Sequence, residues 1–391
     1  MPIFDKFQQL AEARKSLLGE GERDPFNVVI DQVISSTEAI VNGRRTILAG
    51  TNNYLGLTFH PDCIAAARIV LEEQGTGTTG SRMANGTFAG HIALERELAD
   101  FFNVGSAIVF STGYLANIGL LSTLAGSDDV ILLDADCHAS IYDGCRMGDA
   151  EVIRFRHNDA SDLEKRLRRL GDRASRVLII VEGIYSMLGD RAPLKDIAAI
   201  RTKYQAFLVV DEAHSLGVLG KNGRGLAEEA GVEESVDLIV GTFSKSLGAT
   251  GGFCVSRHPE VEMIRYASRP YIFTASPSPS VVASTRAALR IIETHPELRQ
   301  RLWENATCLY ESLQDMGFTL GPEPSPVIAA LVETKERGIG LWSQLMEHGV
   351  YVNLVLPPAA PNGGCLLRCS VSAGHTDEQI EKICQAFLSF S

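Results

Sequence analysis

The amino-acid sequence predicts an α/β protein with a mainly parallel central sheet flanked by helices, followed by a smaller α+β domain. From about residue 98, short apolar runs alternate with helix-length amphipathic stretches, which is typical of a parallel sheet in a layered fold. The runs are continuously apolar, as expected for strands that are buried on both faces. They span residues 107–110, 130–133, 151–155, 177–181, 207–210, 238–240 and 253–255.

The two ends of the chain show other patterns. Residues 3–18 carry apolar side chains at helical spacing, and residues 38–48 form a predicted hairpin around Asn42-Gly43. We expect these pieces to form an arm over residues 1–55 that docks on a partner subunit. After a proline-rich stretch, predicted helices (281–294, 298–316 and about 377–390) and strands (327–331 and 366–371) no longer alternate strictly. We therefore predict a large domain over residues 56–289 and a small α+β domain over residues 290–391.

The composition excludes several classes of protein. The 391 residues are 45% hydrophobic and 21% charged, which is typical of a soluble globular protein and excludes disorder. The net charge of −12, with no long basic run, argues against nucleic acid as a partner. No apolar run approaches the ~18 residues of a membrane span, and the N-terminus lacks the core of a signal peptide. The eight cysteines form no C-x-x-C pair, so we expect reduced thiols and a cytoplasmic protein.

Polar residues cluster directly after the predicted strands, where ligands gather in sheets of this kind. Asp211 follows the run 207–210, and His214 stands three residues later in Asp-Glu-Ala-His. A carboxylate at the end of a buried strand is costly unless a cation faces it. A protonated pyridine nitrogen would be such a cation, and His214 would be within reach of the same ligand. The alternative is a strand-end aspartate that caps a helix.

Lys245 lies in a glycine-rich turn between two predicted strands, in Gly-Thr-Phe-Ser-Lys-Ser. The hydroxyls of Thr242 and Ser244 flank it, which fits an amine held near a phosphate and able to react with a cofactor aldehyde. A solvated loop lysine is the alternative. The Asp-x-x-His strand end earlier in the chain favours the catalytic interpretation.

Three further positions fit a bound cofactor or substrate. Gly113 and Tyr114 stand where a predicted strand turns into a helix, a place where backbone N–H groups can hold a phosphate, although such turns are common. His138 follows another strand and could stack on an aromatic cofactor, or be a structural histidine. Arg368 lies within an apolar strand and needs an anion, either a substrate carboxylate or an internal salt bridge.

One glycine pattern is misleading. Residues 75–80 match G-x-G-x-x-G, but they follow a helix-like stretch rather than a strand, and no obvious helix start comes after them. The context of a dinucleotide site therefore fails, and we expect a flexible loop near a substrate entrance.

Together, the Asp-Glu-Ala-His, Gly-Thr-Phe-Ser-Lys-Ser and Ser-Thr-Gly-Tyr segments resemble those of the α-oxoamine synthases. These are pyridoxal 5′-phosphate (PLP) dependent acyltransferases of fold type I. The resemblance covers nearly the whole chain, from Asn53 to Thr376. It implies PLP as the cofactor, an amino acid and an acyl-CoA as substrates, no metal, and a homodimer with shared active sites.

The resemblance also implies a role for each candidate residue. Lys245 would hold the cofactor and move protons at the substrate Cα, Asp211 would pair with the pyridinium nitrogen, and His214 would bond the ring hydroxyl. His138 would stack on the ring, and Thr274 would reach the phosphate of the other subunit's cofactor. The implied catalytic residues are Lys245, His138, Asp211 and His214. The implied cofactor-binding residues are Gly113, Tyr114, His138, Ser186, Asp211, His214, Thr242, Ser244, Lys245 and Thr274. The implied substrate-binding residues are Arg368, Asn52 and Ser81.

Within the family, residues 80–87, 138–144, 185–190 and 269–276 are most similar to the bacterial branch that condenses L-serine with palmitoyl-CoA. That reaction releases CoA and carbon dioxide and forms 3-oxosphinganine, the first step of sphingolipid synthesis. Three positions depart from the branch. Leu356 and Ala360 replace an arginine and a threonine, and Asn52 replaces a tyrosine.

Other hypotheses stay open. A sibling enzyme of the 8-amino-7-oxononanoate synthase or 2-amino-3-ketobutyrate CoA ligase type would use alanine or glycine, another acyl-CoA or an acyl-carrier-protein thioester. A nicotinamide-dependent reductase would use the loop 75–80. A regulatory subunit without activity would have been free to lose Lys245, which argues against that hypothesis.

Overall fold

The N-terminal region consists of helix α1 (Asp5–Leu18) and strands β1 (Ile30–Val33), β2 (Glu38–Val41) and β3 (Arg44–Leu48). The structure, a computed structural model, describes residues 2–18, 24–357, 359–360 and 364–389. Strands β2 and β3 pair antiparallel around Asn42 and Gly43, whose φ angles of 51° and 72° suit a two-residue hairpin turn. The predicted helix and hairpin are therefore confirmed, whereas β1 was not predicted.

The central region supplies the largest sheet of the described residues. Its elements are α2 (Pro61–Gln74), α3 (Ala89–Phe101), β4 (Ser106–Phe110), α4 (Gly113–Leu124), β5 (Val130–Asp134), α5 (Ala139–Met147), β6 (Glu151–Phe155), α6 (Ala160–Leu170), β7 (Val177–Glu182), α7 (Leu194–Tyr204), β8 (Phe207–Asp211), α8 (Leu226–Glu229), β9 (Leu238–Thr242) and β10 (Gly252–Ser256). The sheet order is β4-β10-β9-β8-β7-β5-β6. Strands β5 to β9 pair parallel with one another, and β10 runs antiparallel to both β4 and β9. All seven predicted strands and the mainly parallel sheet are confirmed.

The continuous apolar runs have a simple cause. Alternate residues of one strand enter different hydrophobic cores, as Val109 and Ile108 of β4 do. Helices cover both faces of the sheet, so each strand position between them needs an apolar side chain. Strand β6, at the edge, is largely exposed.

The C-terminal region contains α9 (Ile264–Ala267), α10 (Arg269–Ile272), α11 (Pro279–Thr294), α12 (Pro296–Asp315), β11 (Val327–Val332), α13 (Lys335–Glu347), β12 (Val350–Tyr351), β13 (Asn353–Val355), β14 (Cys365–Ser370) and α14 (Asp377–Leu388). Strands β11, β14 and β13 form an antiparallel sheet, and β12 pairs parallel with β3. Residues of β2 and β3 share one hydrophobic core with this region. The predicted helices and strands are confirmed, and Phe390 lies outside the described residues.

The domain boundaries at residues 55 and 289 remain predictions. The loop 75–80 follows α2 and is not followed by a helix until α3, which agrees with our rejection of a dinucleotide site. Among the described residues, no helix is long and apolar enough to cross a membrane.

Candidate active site

A cavity of about 250 Å³ lies at the carboxyl ends of the parallel strands. Strands β7, β8 and β9 end in Glu182, Asp211 and Thr242, which all line it, and the turn before α4 closes one side. The predicted residues that line this cavity are Gly113, Tyr114, His138, Asp211, His214, Thr242, Ser244 and Lys245. Segments far apart in the sequence therefore meet at the sheet edge where the strand-end pattern placed them.

Asp211 is held by neutral groups. Its side chain is buried, with 5% of the residue exposed. Its two oxygens accept hydrogen bonds from Nδ2 of Asn117, at 2.8 Å, and from the backbone N–H of Ala213, at 2.9 Å. Within the described part of the chain, no cation lies within 4 Å of this carboxylate. A buried carboxylate in this setting favours a ligand that brings a positive charge.

His138 caps the start of α5 and is fixed by its neighbours. Its Nδ1 lies 2.8 Å from the Ser140 hydroxyl, which accepts a further hydrogen bond from Asn117 at 3.0 Å. Its backbone N–H donates to the carboxylate of Glu182. Burial lowers the pKa of His138, so the ring is neutral at pH 7 and suited to stacking on an aromatic ligand.

Glu182 is the second buried carboxyl group of the cavity. Burial raises its pKa well above the usual range, and the negative charge of Asp211 raises it further. The backbone N–H of His138, which donates to this carboxyl group, opposes the increase only in part.

Lys245 follows β9 and its side chain lines the cavity. Burial lowers the pKa of its amine to about 8, although the charges of Asp211 and Glu182 partly oppose this change. A lysine with this pKa has a much larger neutral fraction at physiological pH than an ordinary lysine, although most of it is still protonated. It can therefore attack an aldehyde and accept a proton.

An anion cradle lines the same cavity as the amine of Lys245. The hydroxyls of Thr242 and Ser244 are 2.9 Å apart, and Gly113 begins helix α4 beside them. A Cβ atom on Gly252 would lie 2.4 Å from the backbone nitrogen of Gly113, so only glycine permits this approach of β10 to the turn. A helix N-terminus with neighbouring hydroxyls suits a phosphate group.

Arg368, on β14, carries a buried positive charge and is 6% exposed. Its guanidinium donates to Oδ1 of Asn52 at 3.2 and 3.3 Å, to the Ser186 carbonyl at 2.6 Å and to the Ser370 hydroxyl at 3.0 Å. No carboxylate pairs with it in the part of the chain that the structure describes. The internal salt bridge that we considered is therefore not the explanation, and the charge is available to a substrate carboxylate.

The chain can now be compared with known proteins. The model of the aminotransferase class I and II family matches residues 45–387. The chain belongs to this family. It is 58% identical to a serine palmitoyltransferase of Caulobacter vibrioides over 387 residues, covering 99% of this chain and 96% of that protein. It is 52% identical to a serine palmitoyltransferase of Sphingomonas paucimobilis, covering 98% and 92%. A solved serine palmitoyltransferase with PLP superposes with a TM-score of 0.96 at 52% identity, covering 99% and 97%.

This aminotransferase-family site fits PLP by its own chemistry, and the chain is a PLP-dependent enzyme. Asp211 needs a cation and would face the pyridinium nitrogen. The cradle at Gly113 and Thr242 suits the phosphate, and the amine of Lys245 suits the aldehyde. The fold type I architecture and the cofactor that we expected from the sequence are confirmed.

Five predicted residues lie outside the cavity lining, and Arg368 is one of them. The Asn52 side chain and the Ser186 carbonyl contact Arg368, whereas the Ser186 side chain does not line the cavity. Thr274 follows α10 and Ser81 lies in the loop before α3. Their proposed roles remain predictions.

Three residues of the site were not assigned a role from the sequence. Asn117 lies four positions after Gly113 on α4, so helical spacing could have placed both on one face. Glu182 ends a predicted strand, which was a usable signal. Tyr54 contacts His214 from a distant segment, and no local pattern reveals that contact.

Proposed function

We propose that this protein condenses L-serine with palmitoyl-CoA to give 3-oxosphinganine, CoA and carbon dioxide, the first step of sphingolipid synthesis. One structural observation carries the amino-acid half of the proposal, namely the buried Arg368 without a carboxylate partner among the described residues. The guanidinium fork suits the carboxylate of an amino acid. The identity of both substrates is supported by the serine palmitoyltransferases described above, which match nearly the full chain.

The residues of the site have separate tasks in this reaction. PLP supplies an electron sink for the Cα of the amino acid. Asp211 stabilises the positive charge of the pyridine nitrogen, and the neutral ring of His138 packs against the cofactor. Nζ of Lys245, with its pKa near 8, takes the proton from Cα and returns it after carbon dioxide has left. Arg368 holds the carboxylate until that step.

We also propose that the active unit is a homodimer in the cytoplasm, with Thr274 reaching the phosphate of the partner's cofactor. Ile3, Phe4, Phe7 and Leu10 are each at least half exposed, which supports coverage of this arm by a second copy. All eight cysteines are free thiols, which supports a reducing compartment.

The test is an absorption titration of the purified holoenzyme with L-serine, L-alanine and glycine in turn. We expect a saturable change of the cofactor band with L-serine, followed by CoA release that is faster with palmitoyl-CoA than with short acyl-CoA. A response to alanine or glycine alone would support the cofactor but exclude L-serine as the substrate, and would favour the reaction of a sibling enzyme. A protein that stays colourless after PLP is added would contradict the whole proposal.

A further inference from the structure

Tyr54 has a position that the roles above leave unexplained. Its side chain is completely buried in the largest hydrophobic core, at 0% exposure. Its hydroxyl nevertheless lies 2.7 Å from Nδ1 of His214, which lines the cavity. A tyrosine hydroxyl buried in a core needs a hydrogen-bond partner, and here the partner belongs to the cofactor site.

The neighbours of Tyr54 decide the direction of this hydrogen bond. The 2.7 Å contact holds one hydrogen, which belongs either to the hydroxyl or to Nδ1. The hydroxyl also interacts with Arg368, which can only donate to it, and with Oδ1 of Asn52 at 3.5 Å, which is too long for a good O–H···O bond. That oxygen also accepts from both Nη atoms of Arg368. The hydroxyl therefore donates to Nδ1, because the opposite direction would leave its hydrogen without a good acceptor.

The charge states agree with this direction. Burial lowers the pKa of His214 well below its usual value, and the charges of Lys245 and Arg368 lower it further. Burial raises the pKa of Tyr54 to about 12, although Arg368 partly opposes the change. At pH 7 the pair is thus a neutral phenol and a neutral imidazole. A neutral imidazole that accepts at Nδ1 carries its hydrogen on Nε2.

We propose that Tyr54 is a positioning residue that fixes His214 as the Nε2–H tautomer, so that His214 donates a hydrogen bond to the ring oxygen of PLP. That oxygen gains negative charge when the cofactor is joined to an amine, and an N–H donor stabilises it. This inference rests on the role proposed for His214 and adds the residue that sets its proton. The same principle applies to histidines in metal sites, where the hydrogen bond at one ring nitrogen fixes the tautomer of the ring.

The experiment uses Tyr54→Phe, which keeps the ring and removes the hydroxyl. Tyr310→Phe is the matched control, because Tyr310 is also buried and its hydroxyl donates to the Gly321 carbonyl at 2.8 Å in a different core. The holoenzyme is labelled with ¹⁵N at its histidine rings. The His214 signals are assigned by their loss in His214→Asn.

In the wild type and in Tyr310→Phe, we expect a bare Nδ1 and a protonated Nε2 for His214. In Tyr54→Phe, the two nitrogen signals should move toward each other as the tautomers mix. A protonated Nδ1 in the wild type, or an unchanged pattern in Tyr54→Phe, would overturn the inference. The measurement needs no substrate, so its failure is distinct from a failure of the proposed reaction.

A comparison of the effects on kcat and on the amino-acid Kd provides a second readout. Loss of an orienting partner lowers activity roughly tenfold or more, and we expect that fall in kcat for Tyr54→Phe. The amino-acid Kd should change much less than kcat, because Arg368 keeps its hydrogen bonds to Asn52, the Ser186 carbonyl and Ser370 when the hydroxyl is removed. An equal fall in kcat for Tyr310→Phe would show a general packing effect and would overturn the positioning role.

Discussion

His157 bridges two buried carboxylates, and this arrangement makes the stability of the protein depend on pH. Its Nδ1 lies 2.8 Å from Asp134 and its Nε2 lies 2.7 Å from Asp190, with Asp136 at 3.9 Å. Burial alone would lower the pKa of His157. The hydrogen bonds and charges of Asp134 and Asp190 outweigh burial and raise the pKa to about 10.

The sign and size of the effect follow from this shift. The folded-state pKa lies above the unfolded value of 6.5, so the protonated imidazole contributes its full stabilisation below pH 6.5 and loses it as pH rises through about 10. Between these values the free energy of unfolding falls by roughly 1.4 kcal/mol per pH unit. Over two pH units, from 7 to 9, the loss is roughly 3 kcal/mol. For 391 residues, this corresponds to a fall in Tm of about 3–4 °C.

Scanning calorimetry of the holoenzyme between pH 6.5 and 9 measures this loss. In His157→Gln, we expect a lower Tm at pH 7 and a difference from the wild type that shrinks as pH rises. His295→Gln is the control, because His295 pairs with Glu297 at the surface, and it should follow the wild type at every pH. If the Tm difference between His157→Gln and the wild type stays constant from pH 6.5 to 9, the assigned charge state of His157 is wrong.

Three further predictions concern the cofactor and substrate groups. Lys245→Ala should fold normally by circular dichroism but lose turnover and retain no cofactor absorption after dialysis; retained turnover would exclude Lys245 as the reacting amine. Arg368→Lys keeps the charge but loses the fork that also contacts Asn52, so the amino-acid KM should rise roughly tenfold with PLP affinity unchanged; an unchanged KM would assign the carboxylate to another group. Gly252→Ala should lower stability by about 1–3 kcal/mol and weaken PLP binding in a titration, because its Cβ meets the backbone of Gly113; wild-type PLP affinity would show that the turn adjusts without cost.

The elements that could be predicted from the sequence are those whose environment is uniform along the strand. All five residues of β5 and of β9 are buried, so continuous apolar runs reveal them. All four residues of β1 are exposed, and β12 has two residues, so neither leaves a recognisable pattern. The parallel pairing of β12 with β3 joins distant segments, and no local pattern specifies it.

The same limit applies to the site. Asp211 could be predicted because a carboxylate at the end of a buried strand violates the apolar pattern and needs a cation. Tyr54 obeys the apolar pattern, since its ring packs in the core, and only its hydroxyl takes part in the site. A side chain with an apolar body and a polar end can therefore belong to a site without leaving a signal in the sequence, as Tyr54 does.

Asp211 and Arg368 are buried charges that neutral hydrogen-bond partners orient. Elsewhere the same chain pairs its buried charges, as Arg82 and Glu95 do at 2.9 Å with both side chains almost fully buried. Such pairing is not universal among the described residues, since the buried Arg299 donates to two backbone carbonyls and has no carboxylate within 4 Å, but Asp211 differs from these groups in lining the cavity. An unpaired buried charge destabilises the folded state. A ligand that brings the opposite charge therefore binds more favourably, because its binding also removes this destabilisation. In the proposed reaction the pyridinium nitrogen would match Asp211 and the amino-acid carboxylate would match Arg368, and these two matches would orient cofactor and substrate relative to Lys245.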